Sequence, residues 1–175
     1  MLFDTHLHLI YPKRLRYPWL NDVPALNKPY HYDDYSQDAA RLGIVGSMHM
    51  EVDVDAADIK AETDLVKGLQ TQSDSLIKGA ISACRPEEDD FASFLEWASD
   101  QTIIKGFRRV LHVVPDEVSR HAGFRKNINR LADTPFSYDI CCRADQLNGA
   151  VDLVDACPKV RFVLDHCGVP DIARR

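Results

Sequence analysis

Nowhere in its 175 residues does the sequence hold an 18-residue apolar run, so no segment reads as a transmembrane helix. It also has no basic block. Its 21 Lys and Arg are scattered among 27 Asp and Glu, for a net charge of −6, which argues against a nucleic-acid surface. The amino terminus lacks a basic n-region, and Asp4, His6 and His8 interrupt any apolar core, so it does not read as a secretory signal. Cysteine pairs at C-x-x-C spacing are missing too. The five cysteines, Cys84, Cys141, Cys142, Cys157 and Cys167, are odd in number. That suits a reducing, cytoplasmic setting and buried thiols rather than a disulfide framework. No G-x-G-x-x-G or P-loop follows the first apolar run, which weighs against a doubly wound nucleotide-binding domain. Internal repeats and low-complexity tracts are absent.

What is present is ordinary in bulk and patterned in detail. Apolar content of 45% and charged content of 27% are globular values, and the length suits one domain, 1–175, with a real core. Short apolar runs fall at 2–6, 43–49, 76–83, 103–107, 136–141 and 160–164. Between them lie segments with helical period: Tyr35, Ala39 and Leu42; Ala61, Leu65, Val66 and Leu69; Phe91, Phe94, Leu95 and Ala98; Phe124, Ile128 and Leu131; Leu147, Val151 and Val154. Alternating strand and helix predicts an α/β fold with a parallel sheet covered on both faces. Adjacent Cys141 and Cys142 would point to opposite faces of a strand.

Residues 10–34 break this rhythm. Pro12, Pro18, Pro24 and Pro29 punctuate them, no clear helix emerges, and Tyr11, Tyr17, Trp19, Tyr30, His31 and Tyr32 crowd in. A long loop inside a compact domain is usually functional or disordered, and this aromatic content argues against disorder. The loop follows the first strand, so it leaves the carboxyl end of the sheet, the ligand side of α/β folds.

The first strand carries DTHLHL. Side chains alternate along a strand, so His6 and His8 face the same way. Two converging imidazoles make a metal subsite or a polar grip on a substrate oxygen. Burying both without a partner would be costly. His166 follows the sixth run, in VRFVLDHCGVP, where Gly168 and Pro170 turn the chain, so it too is expected at a carboxyl end. Its neighbour Asp165 should face the other way and orient the groups around it. His49 and Glu51 end the second strand and are in position to reach the same rim. His31, His112 and His121 read as background.

Five stretches now combine: DTHLHL at strand one, RYPWL in the first loop, KGFRRVL at strand four, YDICCRADQL at strand five and FVLDHCGVPDI at strand six. Together they resemble the amidohydrolase superfamily, in its amidohydrolase-2 branch of metal-dependent hydrolases, which includes sugar lactonases and pyrone-dicarboxylate lactonases. The resemblance implies a (β/α)8 TIM-barrel fold, with about six βα units in this chain. It implies a hydrolase acting on the lactone of a sugar acid or of a small carboxylated ring. His6, His8 and His166 match the catalytic cluster, which acts on the substrate carbonyl with one divalent ion, zinc first, or without metal. Arg108 matches an arginine that holds substrate carboxylate or hydroxyl oxygens, and Arg143 would play a similar part. Tyr17 and Trp19 would wall the pocket, and His49 joins them on position alone. The expected partner is a small lactone or carboxylate, with neither nucleic acid nor membrane involved.

A complete barrel needs eight strands and typically about 250 residues. The family's catalytic aspartate, which takes a proton from the attacking water, ends strand eight. Six strands are counted here, so the sequence is expected to be a piece of a longer protein, or else a shortened variant whose open edge is covered. Two alternatives stay open: zinc-dependent decarboxylation by the same cluster, and a non-catalytic remnant that binds a small anionic or sugar-like ligand.

Overall fold

The computed structural model describes residues 1–174. The chain divides into two compact units, residues 1–83 and a second that begins at Cys84. In the first, strands β1 (Leu2–Leu7), β2 (Ile44–Met50) and β3 (Ile77–Ala83) pair in parallel in that order. Helix α1 (Tyr32–Leu42) joins β1 to β2, and α2 (Ile59–Gln70) joins β2 to β3. The second unit opens with α3 (Phe91–Ser99), followed by β4 (Ile104–Val110). Two short helices, α4 (Glu117–Arg120) and α5 (Ala122–Ile128), lead to β5 (Ser137–Cys141), and α6 (Leu147–Ala156) leads to β6 (Arg161–Leu164). These three strands are again parallel and in sequence order. Each of the six apolar runs is a strand, and the described residues hold six strands with helices between successive ones, an α/β arrangement of the TIM-barrel kind.

Local chemistry explains the boundaries in the first unit. The Asp34 carboxylate accepts the His31 N–H at 2.8 Å, satisfying a donor at the start of α1. Gly43 ends that helix with φ 69°, a conformation glycine adopts without a Cβ penalty. Gly46 in β2 is needed for a different reason: a Cβ there would lie 2.6 Å from the Phe3 ring, which rests on it. Helix α1 starts at Tyr32, inside the stretch expected to be loop, and buries Tyr32, Tyr35 and Ala39 while Leu42 is exposed. The proline punctuation hid that first turn.

The loop before α1 is closed rather than open. Ile10 and Tyr30 exchange both backbone hydrogen bonds, at 2.8 and 3.1 Å, so the segment is a compact excursion with its ends pinned. A short 3-10 turn, Pro18–Asp22, lies inside it. Aromatic hydroxyls then tie it down: Tyr17 accepts the Tyr11 N–H at 3.0 Å, Tyr11 accepts the Tyr32 N–H at 3.0 Å, and Tyr32 accepts the Leu76 N–H at 2.7 Å.

In the second unit, strand alternation sorts residues by face. Phe107, Tyr138 and Phe162 are register partners across β4, β5 and β6 and form one aromatic row. Tyr138 stacks edge-on to Phe124 and Phe162 at 6.5 and 6.0 Å, and Phe107 to Phe136 at 5.0 Å. Such pairs add about 0.5–1.5 kcal/mol each beyond their buried area. One position along the strands, Arg108 and Asp139 are partners on the opposite face. Both are 4% exposed, and Asp165, just after β6, is 5% exposed. Its Oδ2 accepts from Arg108 Nη1 at 3.1 Å. Two carboxylates therefore share one buried guanidinium. Burial, and then the neighbouring Asp165 charge, push the Asp139 carboxyl up to about 6.

Helix α6 departs from the expected face. Leu153 is fully buried, whereas Val151 and Val154 are 57% and 38% exposed. Two apolar frames overlap in this helix, and the structure uses the one through Leu147, Ala150 and Leu153. No disulfide forms among the described cysteines; Cys84, Cys141, Cys142 and Cys157 are buried, but Cys167 is exposed. Cys142 lies just beyond β5 rather than within it.

Two stability outcomes follow. The Tyr138 hydroxyl is buried and has no hydrogen-bond partner among the described residues, and burial pushes its ionisation well above the usual tyrosine range. Tyr138→Phe keeps the ring stacking and removes an unsatisfied group, so urea unfolding should show it as stable as wild type or up to about 2 kcal/mol more stable; a clear loss would contradict this packing. Asp139 has its folded pKa raised above the ordinary carboxylate value, so its ionisation opposes folding. That penalty is absent near pH 4, grows through pH 6 and is fully present above it, on the order of 2–3 kcal/mol. Asp139→Asn should therefore stabilise the protein at pH 8, with the gain vanishing by pH 4; an equal gain at both pH values would contradict it.

Candidate functional site

In the first unit the site begins at the carboxyl ends of β1 and β2. The half-buried rings of His6 and His8 lie edge to face with centroids 4.8 Å apart, the pairing their alternation predicts. His8 stands one residue past β1. Its Nδ1 lies 2.9 Å from the carbonyl oxygen of Met50, the last residue of β2. A carbonyl only accepts, so Nδ1 carries the proton, and in the neutral ring the lone pair sits on Nε2. This is the arrangement by which a backbone carbonyl fixes the tautomer of a metal-binding or basic imidazole.

The segment after β2 is rigidly held. Glu51, 1% exposed, accepts the Asp53 N–H on Oε2 at 2.7 Å, and Glu62 of α2 accepts the Val52 N–H on Oε1 at 3.1 Å. Asp53 adopts φ 45° there. His49 is 2% exposed, and its register partner is Leu7 of β1. Trp19 donates its indole N–H to the Val52 carbonyl at 2.9 Å, and buried Tyr17 spends its hydroxyl on the loop backbone. Trp19 thus braces the loop against the segment after β2, and Tyr17 ties the loop to itself. Burial, opposed in part by that hydrogen bond, pushes the Tyr17 hydroxyl up to about 12, so it stays neutral.

In the second unit His166, itself exposed, lies beyond β6 on the turn Asp165–Gly168, whose first and last residues are buried. Asp165 points inward to Arg108, but it does not face away from His166 as strand alternation would have it. A carboxylate oxygen of Asp165 and a ring nitrogen of His166 lie within 4.8 Å of each other, because both residues sit in a turn beyond β6 and not in a strand. Arg108 is buried and commits Nη1 to that carboxylate. Arg143, 44% exposed, follows β5 and donates Nη1 to the His112 carbonyl at 2.7 Å and Nε to Asp145 at 3.0 Å, with Asp116 at 3.7 Å. His112 was read as background, yet its Nδ1 lies 3.4 Å from the Cys141 thiol. The other two background histidines cap helices: His31 at the start of α1, and His121 by accepting the Gly123 N–H at 3.2 Å.

The structure therefore brings His6 to His8 in one unit, and Arg108 to Asp139 and Asp165 in the other. Sequence reasoning missed three participants. Nothing in residue type marks the Met50 carbonyl, because any residue supplies one. Glu62 is one of several charged residues of α2, and nothing in its type marks it as buried. Asp139 sits in an apolar run, and that lone charge was a legible signal.

Comparison with known proteins identifies the family and the fold. The amidohydrolase family model matches residues 3–175. An uncharacterized protein, y4mH, of Sinorhizobium fredii is 25% identical over 186 residues, covering 96% of this chain and 62% of its own length. A crystal structure of an amidohydrolase from Burkholderia multivorans with bound zinc superposes with TM-score 0.80 at 22% identity, covering 96% of this chain and 58% of that one. A structure of a probable 2-pyrone-4,6-dicarboxylic acid hydrolase from Acinetobacter baumannii, with citric acid bound, gives TM-score 0.68 at 10% identity over 95% of this chain and 58% of that one. The chain thus spans about three fifths of the length of these relatives, and over that span it shares their fold. No helix among the described residues is long and apolar enough to cross a membrane. With the family match running from residue 3 through the last residue, the chain belongs to the amidohydrolase family, in its amidohydrolase-2 branch.

Proposed function

We propose that this chain serves the hydrolysis of a lactone, the cyclic ester of a sugar acid or of a small carboxylated ring, and that His6, His8 and His166 are its catalytic imidazoles. The observation that carries the reading is the His8 Nδ1 to Met50 carbonyl bond. It puts a lone pair on Nε2, which suits a metal ligand or a base and does not suit a hydrogen-bond donor to a carbonyl. Imidazole ligands at the end of a strand fit a zinc-type ion, and the edge-on His6–His8 pair supplies two of them from one strand. His166, at a strand end of the second unit, is assigned as the third. When bound, the ion supplies a Lewis acid for the ester carbonyl and lowers the pKa of water.

The remaining assignments concern the substrate. Arg143, partly exposed beyond β5, offers a guanidinium suited to a substrate carboxylate. His49, at the end of β2, lies on the same rim as His8. Tyr17 and Trp19 hold the loop that walls this end of the first unit. Support for a lactone comes from chemistry: a 2-pyrone is a cyclic ester, and the Acinetobacter relative carries a 2-pyrone hydrolase description. The Burkholderia relative binds zinc.

Two measurements test the proposal. Zinc titrated into the chain by calorimetry should bind, and His6→Ala or His8→Ala should each weaken binding by about tenfold or more, in the range that loss of metal-site groups costs. Binding unaltered in both variants would refute the metal assignment. In a protein that carries all eight strands of the barrel, and with them the expected general base, hydrolysis of pyrone and sugar lactones, followed by proton release with zinc added, should fall by about 10²-fold or more in His8→Ala, as expected when carbonyl stabilisation is removed. Lactone turnover that survives His8→Ala unchanged would refute the catalytic one.

A further inference from the structure

The turn that carries His166 has the least favourable backbone in the second unit. Four consecutive residues take positive φ: His166 50°, Cys167 53°, Gly168 72° and Val169 45°. Glycine tolerates this region, other residues seldom enter it, and a β-branched valine there is an outlier. A conformation of this kind persists only where its surroundings over-determine it, and it gathers at functional sites.

Three contacts hold the turn. The Val169 N–H returns to the His166 carbonyl at 3.0 Å. Leu147 of α6 seats against Gly168, where a Cβ would come within 2.6 Å of its side chain. Asp165, the first residue of the turn, is anchored on Arg108 of β4 at 3.1 Å with both side chains buried. The first two contacts are local or apolar. The third ties the turn to strand β4 of the unit's parallel sheet.

We propose that Arg108 is a positioning residue: through Asp165 it fixes the left-handed turn that presents His166, and Asp139, the second carboxylate beside it, competes for the same guanidinium. The inference rests on the reading of His166 as an active-site residue, and it assigns Arg108 to holding that residue rather than to gripping substrate. A buried guanidinium suits the task, because removing one partner of a buried pair leaves the other uncompensated.

Hydrogen exchange followed by mass spectrometry on the full chain, at pH 8 and without zinc, tests this. Arg108→Met should speed exchange across residues 166–169 by about tenfold or more, as local opening permits, while α5 keeps its wild-type protection. Arg108→Lys, which restores the charge, should recover most of the loss. Asp139→Asn, which removes the competitor, should leave the turn as protected as wild type or more so. If Arg108→Met does not fold, Asp165→Asn keeps an acceptor of the same shape and should speed the same residues to a smaller extent. Exchange at 166–169 that matches wild type, or that rises equally in α5, overturns the proposal. So does a lysine variant no better than methionine. None of these readouts involves lactone or zinc, so failure of the lactone reading and failure of this one are told apart.

Discussion

The hydrogen bond from His8 to the carbonyl of Met50 is the interaction on which the site in the first unit depends. It joins the end of β1 to the end of β2 through an atom that every residue possesses, so the parallel pairing itself sets the imidazole. Pairing of Leu7 with His49 brings the Met50 carbonyl level with His8. Segment 51–53 is then pinned by Glu51 and Glu62, and the loop is braced against it by Trp19. A shift of register by one residue would reverse every side chain on β2 and move that carbonyl away. Fold and tautomer are thus one constraint, and the chemistry available at Nε2 follows from it.

The second unit divides its labour by face. Aromatic residues on one side of β4, β5 and β6 supply packing, and Arg108 with Asp139 on the other side works against stability. One guanidinium facing two buried carboxylates is a costly arrangement. Its retention in a well-packed unit is the kind of local conflict expected where structure serves function. The same face leads into Asp165 and the strained turn of His166, so the cost lies beside the residue it would position. At Asp139, desolvation and then the Asp165 charge outweigh the Ser137 hydrogen bond and the attraction of Arg108.

Much of this was legible in the sequence. Six apolar runs became six strands because continuous hydrophobic stretches have few other uses in a chain with helical segments between them. The H-x-H spacing placed His6 and His8 together, since a period of two leaves no choice of face. The placement of Asp165 and His166 did not follow from that rule, because both lie in a turn beyond β6 where side chains no longer alternate. Other features were hidden for physical reasons. Helix α1 begins at Tyr32 because the Asp34 carboxylate caps it, a signal masked by nearby prolines. Helix α6 offered two apolar frames, and only tertiary packing selected Leu153 over Val151 and Val154. A backbone acceptor such as Met50 leaves no trace in residue type, and the left-handed run from His166 to Val169 carries one glycine where four would have announced it.

The central claim is that His8 holds its proton on Nδ1 and presents a lone pair on Nε2. Nitrogen-15 NMR of the histidine-labelled chain at pH 8 reads this directly, through the two-bond correlations that distinguish a protonated ring nitrogen from a bare one. The account predicts a protonated Nδ1 and a bare Nε2 for His8, with the Nε2 resonance displaced when zinc is added. A proton on Nε2 with a bare Nδ1 would contradict it, because the Met50 carbonyl would then face a second acceptor and the reading of the site would lose its footing.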